Sequence, residues 1–168
     1  MLQIEIAGES LTLLAERALW WPAQSTLLIA DAHFGKGLTF RARGVAVPSG
    51  TSDDTMDRLA ILLARTGATR VVFLGDLLHA REAREPALMA TLAGLRAPGV
   101  EWVLVRGNHD LHAGVPAELG LTVVDEPWRM APFALCHHPD AQPGHYVLAG
   151  HVHPALRVEA GGDRLRLP

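Results

Sequence analysis

The sequence predicts a layered α/β domain whose later strands form or join a second sheet. Three observations carry this. Short apolar runs of buried-strand length alternate with helical patterns through the first two thirds of the chain. Strands dominate the remainder, as expected when a second layer is being built. Five of the apolar runs end on the same kinds of polar side chain, at the strand edge where α/β proteins bind ligands. The 168 residues suit a single domain, 1–168, with no internal repeat or linker.

The elements follow in order. "QIEIAGESLTLL" reads as two short strands around a Gly-Glu-Ser turn, and "TLLIA" as a buried strand. "KGLTFRAR" forms a short helix before the loop "GVAVPSG". "TSDDTMDRLAILLARTG" is a helix: Thr51 or Ser52 caps it, acids fill its first turn, Met56, Leu59, Leu62 and Leu63 share a face, and Gly67 ends it. "RVVFLGD" is a second buried strand. "EPALMATLAGLRA" is a helix with Pro86 at its start. "EWVLVRGNHD" is a third buried strand, followed by short strands at "LTVVDE", "FALCHHP" and "YVLAGHVH". The tail "ALRVEAGGDRLRLP" alternates around Gly161-Gly162 as a hairpin.

Composition narrows the classes. Hydrophobic residues make up 49% and charged residues 20%, which excludes a disordered chain. No apolar stretch reaches the length of a membrane span, and the N-terminus lacks the pattern of a signal peptide. A single cysteine, Cys136, excludes an internal disulfide framework and fits a cytoplasmic location. The formal charge of −3 argues against an overall basic nucleic-acid surface, though bound divalent metals would add local positive charge. "FGKG" is not a phosphate-binding Walker loop, since position 30 is Ala30 and no Ser or Thr follows Lys36. There is no Gly-x-Ser-x-Gly nucleophile elbow.

The polar ends form a constellation. The run at 27–30 ends on Asp31 and His33, and the run at 71–74 on Gly75 and Asp76. The run at 102–106 ends on Gly107-Asn108-His109-Asp110, the run near 133–136 on His137 and His138, and the run at 146–149 on Gly150-His151-Val152-His153. Carboxylates, imidazoles and one amide, with no thiolate pair, suit divalent Mn, Fe, Zn or Mg. A carboxylate with two oxygens can bridge a pair of ions, and such pairs clamp an in-line displacement at phosphorus. The glycines at 75, 107 and 150 let the backbone turn beside the ions.

These five motifs, in this order from residue 31 to 153, resemble the calcineurin-like metallophosphoesterase superfamily. "LLIADAHFGKG", "FRARGVAVPSG", "GDLLHAR" and "LCHHP" resemble, within it, the bacterial ligase-associated DNA damage response endonucleases. The resemblance implies two packed sheets flanked by helices and a centre of two divalent ions, Mn foremost. It puts Asp31, His33 and His153 on one ion, Asn108, His137 and His151 on the other, and Asp76 between them. His109 then faces the leaving group or a phosphoryl oxygen, with Asp110 fixing its ring, while a metal-bound hydroxide attacks phosphorus. It also implies DNA as substrate in repair, and a DNA ligase and a DEXH-box helicase as partners.

Other residues carry weaker readings. His138 competes with His137 as ligand and otherwise contacts substrate; His137 is preferred because it directly follows the apolar run. His79 is a substrate contact or a surface histidine. Lys36, Arg41 and Arg43 read as phosphate-steering cations, against the alternative of a solvated helix face, and Arg81 and Arg84 are similar candidates with a stronger case for the surface. Cys136 reads as a core residue, His112 and His145 as solvent-facing, and Trp20 and Trp21 as packing against the sheet.

Two rival functions stand beside the nuclease: hydrolysis of small phosphoesters, and a non-catalytic scaffold for a ligase or helicase. Filled ligand positions argue against the scaffold. The chain stops fifteen residues after His153, earlier than expected for completing the second sheet. A short or truncated C-terminal part is therefore expected, with an open edge at 163–167 inviting a homo-oligomer.

Overall fold

The computed structural model describes residues 1–47 and 51–167. The side-chain cap expected from Thr51 or Ser52 falls outside the described residues, as do residues 48–50 of the expected loop. Strands β1 (Leu2–Ile6) and β2 (Glu9–Leu14) pair around Ala7 and Gly8, both at positive φ, the twist that a tight hairpin requires. Strands β3 (Ala18–Trp21), β4 (Thr26–Ala30), β5 (Arg70–Leu74), β6 (Glu101–Val105) and β7 (Thr122–Val124) complete a seven-stranded sheet in sequence order. β1 to β4 run antiparallel and β4 to β7 parallel. A second sheet has the order β10 (Tyr146–Ala149), β9 (Phe133–Cys136), β8 (Trp128–Met130), with β9 and β10 parallel. β11 (Leu156–Ala160) and β12 (Asp163–Leu167) form the expected hairpin, exposed along β11.

Helices α1 (Lys36–Ala42), α2 (Thr51–Thr66) and α3 (Pro86–Leu95) match expectation. Glu85 caps α3 by accepting the Leu88 N–H at 3.3 Å. Strands β3 and β8 and a short helix escape the sequence reading. β3 contains Trp20 and Trp21, so these residues belong to the sheet itself. Trp21 is fully buried, with its indole N–H donating to Glu9 at 2.7 Å. β8 is only three residues long. Helix α4 (Asn108–Ala113) begins inside the Gly-Asn-His-Asp motif, which is therefore the start of a helix.

Period-two alternation in the central strands divides the core. Leu27, Val71, Phe73, Trp102 and Leu104 face Met56, Leu59 and Leu62 of α2 and Leu88, Met89 and Leu92 of α3. Leu28, Val72, Leu74, Val103 and Val105 face Phe133 and Leu135 of the small sheet. The layers are thus helices, large sheet, small sheet. Among the described residues, no helix is long and apolar enough to cross a membrane.

Phe133 locks the two sheets, lying edge-on to Trp21 with ring centroids 4.9 Å apart and no exposed surface. Phe133→Ala should cost about 3–5 kcal/mol. A urea unfolding curve with a midpoint close to that of the wild type would show that this contact does not hold the sheets together.

Candidate metal centre

The parallel strands β4, β5 and β6, and the parallel pair β9 and β10, deliver their C-terminal ends to one edge. The first two loops are zipped together by backbone bonds. His33 N–H donates to the Asp76 carbonyl at 2.9 Å, Phe34 N–H to Leu77 at 2.8 Å, and His79 N–H to Phe34 at 3.1 Å. Asp31 and His33 are thereby registered against Asp76 before any side-chain contact forms.

The seven expected ligands meet at this edge. Asp31, His33 and His153 bring one donor atom each to within 4.8 Å of one another. On the other side, His137 Nε2 lies 2.8 Å from Asn108 Oδ1 and 3.1 Å from His151 Nδ1. Asp76 stands between: Oδ2 is 3.7 Å from His33 Nε2, and Oδ1 is 3.6 Å from His137 Nε2. Donors bound to one ion at about 2.1 Å sit roughly 3–3.5 Å apart, so the spacings around His137 suit a shared cation.

The polarity of the atoms supports the same fit. His137 Nδ1 faces the Leu74 carbonyl at 3.1 Å and must donate to it. In the neutral ring Nε2 is then a lone pair, pointing at the carbonyl oxygen of Asn108. Two acceptors facing each other at that distance repel, and a cation shared between them would relieve it. Asp31 Oδ1 is buried without a hydrogen-bond partner, and it faces His137 Nδ1 at 3.8 Å and His153 Nε2 at 3.9 Å. Burial, together with His109, His79 and Lys36, lowers His33 to about 4 despite the opposing pull of Asp76. Its ring is neutral at pH 7, as a metal ligand must be.

Backbone strain concentrates here. Asp31, His33, Asp76, His151 and His153 all have positive φ, between 43° and 69°. Left-handed geometry costs non-glycine residues about 1–3 kcal/mol each and persists only where the surroundings enforce it. Of the three motif glycines, Gly75 has a positive φ of 79°. Gly107 and Gly150 serve through space instead. A methyl at Gly107 would stand 2.5 Å from Asp76 Oδ1, and one at Gly150 2.8 Å from Asp31 Oδ2.

Asp110 does not fix the ring of His109, contrary to expectation. Its buried carboxylate accepts three backbone N–H groups: Gly107 at 2.8 Å and Asp76 at 2.9 Å on Oδ2, and Leu77 at 3.0 Å on Oδ1. The bond to Gly107 is the one expected at the third position of a helix, where a side chain reaches back to the residue before the first turn. Burial raises the pKa of Asp110, against the three N–H bonds. His109 is oriented by a different group: its Nδ1 donates to the His79 carbonyl at 2.7 Å, leaving Nε2 free.

The remaining candidates divide. His79 stacks on His109 with ring centroids 5.2 Å apart and reaches His33 Nδ1 at 3.4 Å, so it belongs to this cluster. His138 turns Nδ1 to Glu126 Oε1 at 2.6 Å, while His137 is fully buried among the ligands. Lys36 is exposed at the start of α1, above the Phe40 ring. Arg41 lies exposed in the last turn of α1. Arg43 and Arg81, together with His79, His109 and His112, line a cleft of about 730 Å³ that opens beside Asn108.

Glu126 was missed. It accepts the backbone N–H of His137 at 2.7 Å and of His138 at 2.8 Å. Burial pushes its pKa up, but His138 and the two N–H groups outweigh this and hold the carboxyl low; Glu126 in turn raises His138. An acid before Pro127 at a strand end gives no sequence signal for such a role.

The calcineurin-like phosphoesterase family matches residues 25–142. The crystal structure of Pseudomonas putida nuclease MPE is similar over 99% of this chain and 79% of that one, at 46% identity and a TM-score of 0.87. Among curated proteins, none matches the chain by sequence.

Two substitutions test the centre. Asp76→Asn should lower bound metal in both halves, because one carboxylate faces both. Gly107→Ala should do likewise without altering any donor, by driving a methyl into Asp76. Elemental analysis finding full metal content in either variant would remove Asp76 from the shared position.

Proposed function

The chain belongs to the calcineurin-like phosphoesterase family, and from that premise we propose that it is a two-metal phosphodiesterase that cleaves DNA. The carrying observation is Asp76, whose two oxygens face separate donor clusters on either side. Asp31, His33 and His153 would hold one ion and Asn108, His137 and His151 the other, with Mn the first choice and Fe, Zn and Mg to be compared. When bound, such ions lower the pKa of water and neutralise charge on phosphoryl oxygens.

The chain's own groups do the rest. His109, anchored at Nδ1, presents Nε2 to the departing oxygen or a phosphoryl oxygen. Asp110 keeps the Asp76 and Gly107 loops in register. Arg43 and Arg81 line the adjoining cleft, and Lys36 stands at the start of α1, where each can meet neighbouring phosphates of a polynucleotide. Arg43 is shared with Glu82 at 3.0 Å, so its contribution is smaller than that of an unpaired cation. Likeness to a Pseudomonas putida nuclease supports the choice of a nucleic acid. A role in repair alongside a ligase and helicase belongs to the same reading and rests on the motif resemblance.

The deciding experiment gives metal-reconstituted protein both substrate classes. Metal-dependent nicking of plasmid or single-stranded DNA, faster than turnover of nucleotide monoesters and cyclic nucleotides, is expected. The reverse ranking would make this a small-phosphoester hydrolase, which the formal charge of −3 would suit.

His109→Ala separates two roles. General acid catalysis contributes roughly 100- to 10,000-fold and matters most for a poor leaving group. The variant should keep its metal, lose most DNA cleavage, and lose less activity on a bis-nitrophenyl diester, whose leaving group needs little protonation. Equal losses would assign His109 to the phosphoryl oxygens.

A further inference from the structure

The two donor halves are held in different ways, and a carboxylate outside both makes the difference. The first half rests on the backbone zipper between the loops after β4 and β5, and on the His151 N–H bonded to Asp31 Oδ2 at 2.9 Å. The second half draws His137 from the small sheet, which reaches the centre across a layer boundary. Glu126 sits at that boundary, in the crossover from β7 of the large sheet to β8 of the small one.

Glu126 Oε2 takes two consecutive backbone N–H groups, His137 at 2.7 Å and His138 at 2.8 Å, and Oε1 meets the His138 ring at 2.6 Å. Two adjacent N–H groups converging on one oxygen fix the peptide planes on either side of the His137 Cα. The direction in which the His137 side chain leaves β9 is thereby set. The Leu74 carbonyl at 3.1 Å then sets only the rotation of the ring. Both bonds to Oε2 are short, as expected for a charged acceptor.

We propose that Glu126 is a positioning residue for the second metal half, controlling the affinity of Asn108, His137 and His151 for their ion without touching it. This rests on the two-metal reading above. Groups behind a metal ligand typically change metal affinity 10- to 100-fold when removed. Because Glu126 grips only the β9 end, its loss acts on one half alone. The consequence is an enzyme that binds its two ions with separable affinities.

The test is calorimetric titration of the metal-free chain with Mn²⁺. The wild type should bind two ions; a single ion would overturn the two-metal reading itself, and this inference with it. Given two, Glu126→Ala should weaken one ion roughly 10- to 100-fold and leave the other unchanged. Glu126→Gln keeps an acceptor oxygen for both N–H groups but loses the charge, and should fall between. In the metal-free protein, amide exchange at His137 and His138 should accelerate in the Ala variant and stay slow in the Gln variant. Glu16→Ala, which frees the surface partner of Arg65, is the control and should change nothing at the centre. Two ions at wild-type affinity in Glu126→Ala would overturn the proposal. So would equal weakening of both ions with a lowered melting temperature, which marks a general structural role. If Glu126→Ala does not fold, Glu126→Gln decides alone: one ion weakened supports the proposal, and neither or both weakened overturns it.

Discussion

Acceptors repel acceptors, and this centre gathers many of them in one place. The oxygens of Asp31, Asp76 and Asn108 and the lone pairs of four imidazoles would separate if the chain were free to relax. Their mutual repulsion opposes this convergence, and the surrounding architecture enforces it. Five of the candidate ligand residues sit in left-handed backbone geometry, and two glycines leave only the space that a neighbouring carboxylate fills. A bound cation would turn this mutual repulsion into coordination.

Two carboxylates do the holding without being ligands. Asp110 binds the backbone of Gly107, Asp76 and Leu77, so it ties the end of β6 to the end of β5 inside the large sheet. Glu126 binds the backbone of His137 and His138, so it ties the end of the large sheet to the end of β9 in the small one. Each works through the N–H donors that fill its oxygens. A buried acid with unfilled acceptor sites would cost more than it contributes.

His109 and the arginines of the cleft share the same edge. His109 is held through its ring by the carbonyl of His79, and the His79 ring stacks back on it. Arg43 and Arg81 line the same cleft as Asn108 and His109. The net charge of the chain is negative, so any positive potential at this edge is local, generated by these side chains and by any bound ions.

The sequence by itself determined the layered α/β class, most of the strands and three of the helices, since periodicity reports burial directly. It also nominated the seven donors that meet at the edge, because apolar strands ending on Asp, Asn and His mark one side of a sheet. Tertiary structure alone decided the rest. It put Trp21 inside a strand that is too short to read. It buried His137 beside Asn108 and turned His138 Nδ1 to Glu126, while leaving both rings within reach of His151. It gave Asp110 to the backbone and His109 to the His79 carbonyl. It recruited Glu126 from a connection that looked featureless. These assignments depend on which backbone N–H or carbonyl lies opposite a side chain. Backbone groups are the same at every residue, so only the folded path of the chain says where they are.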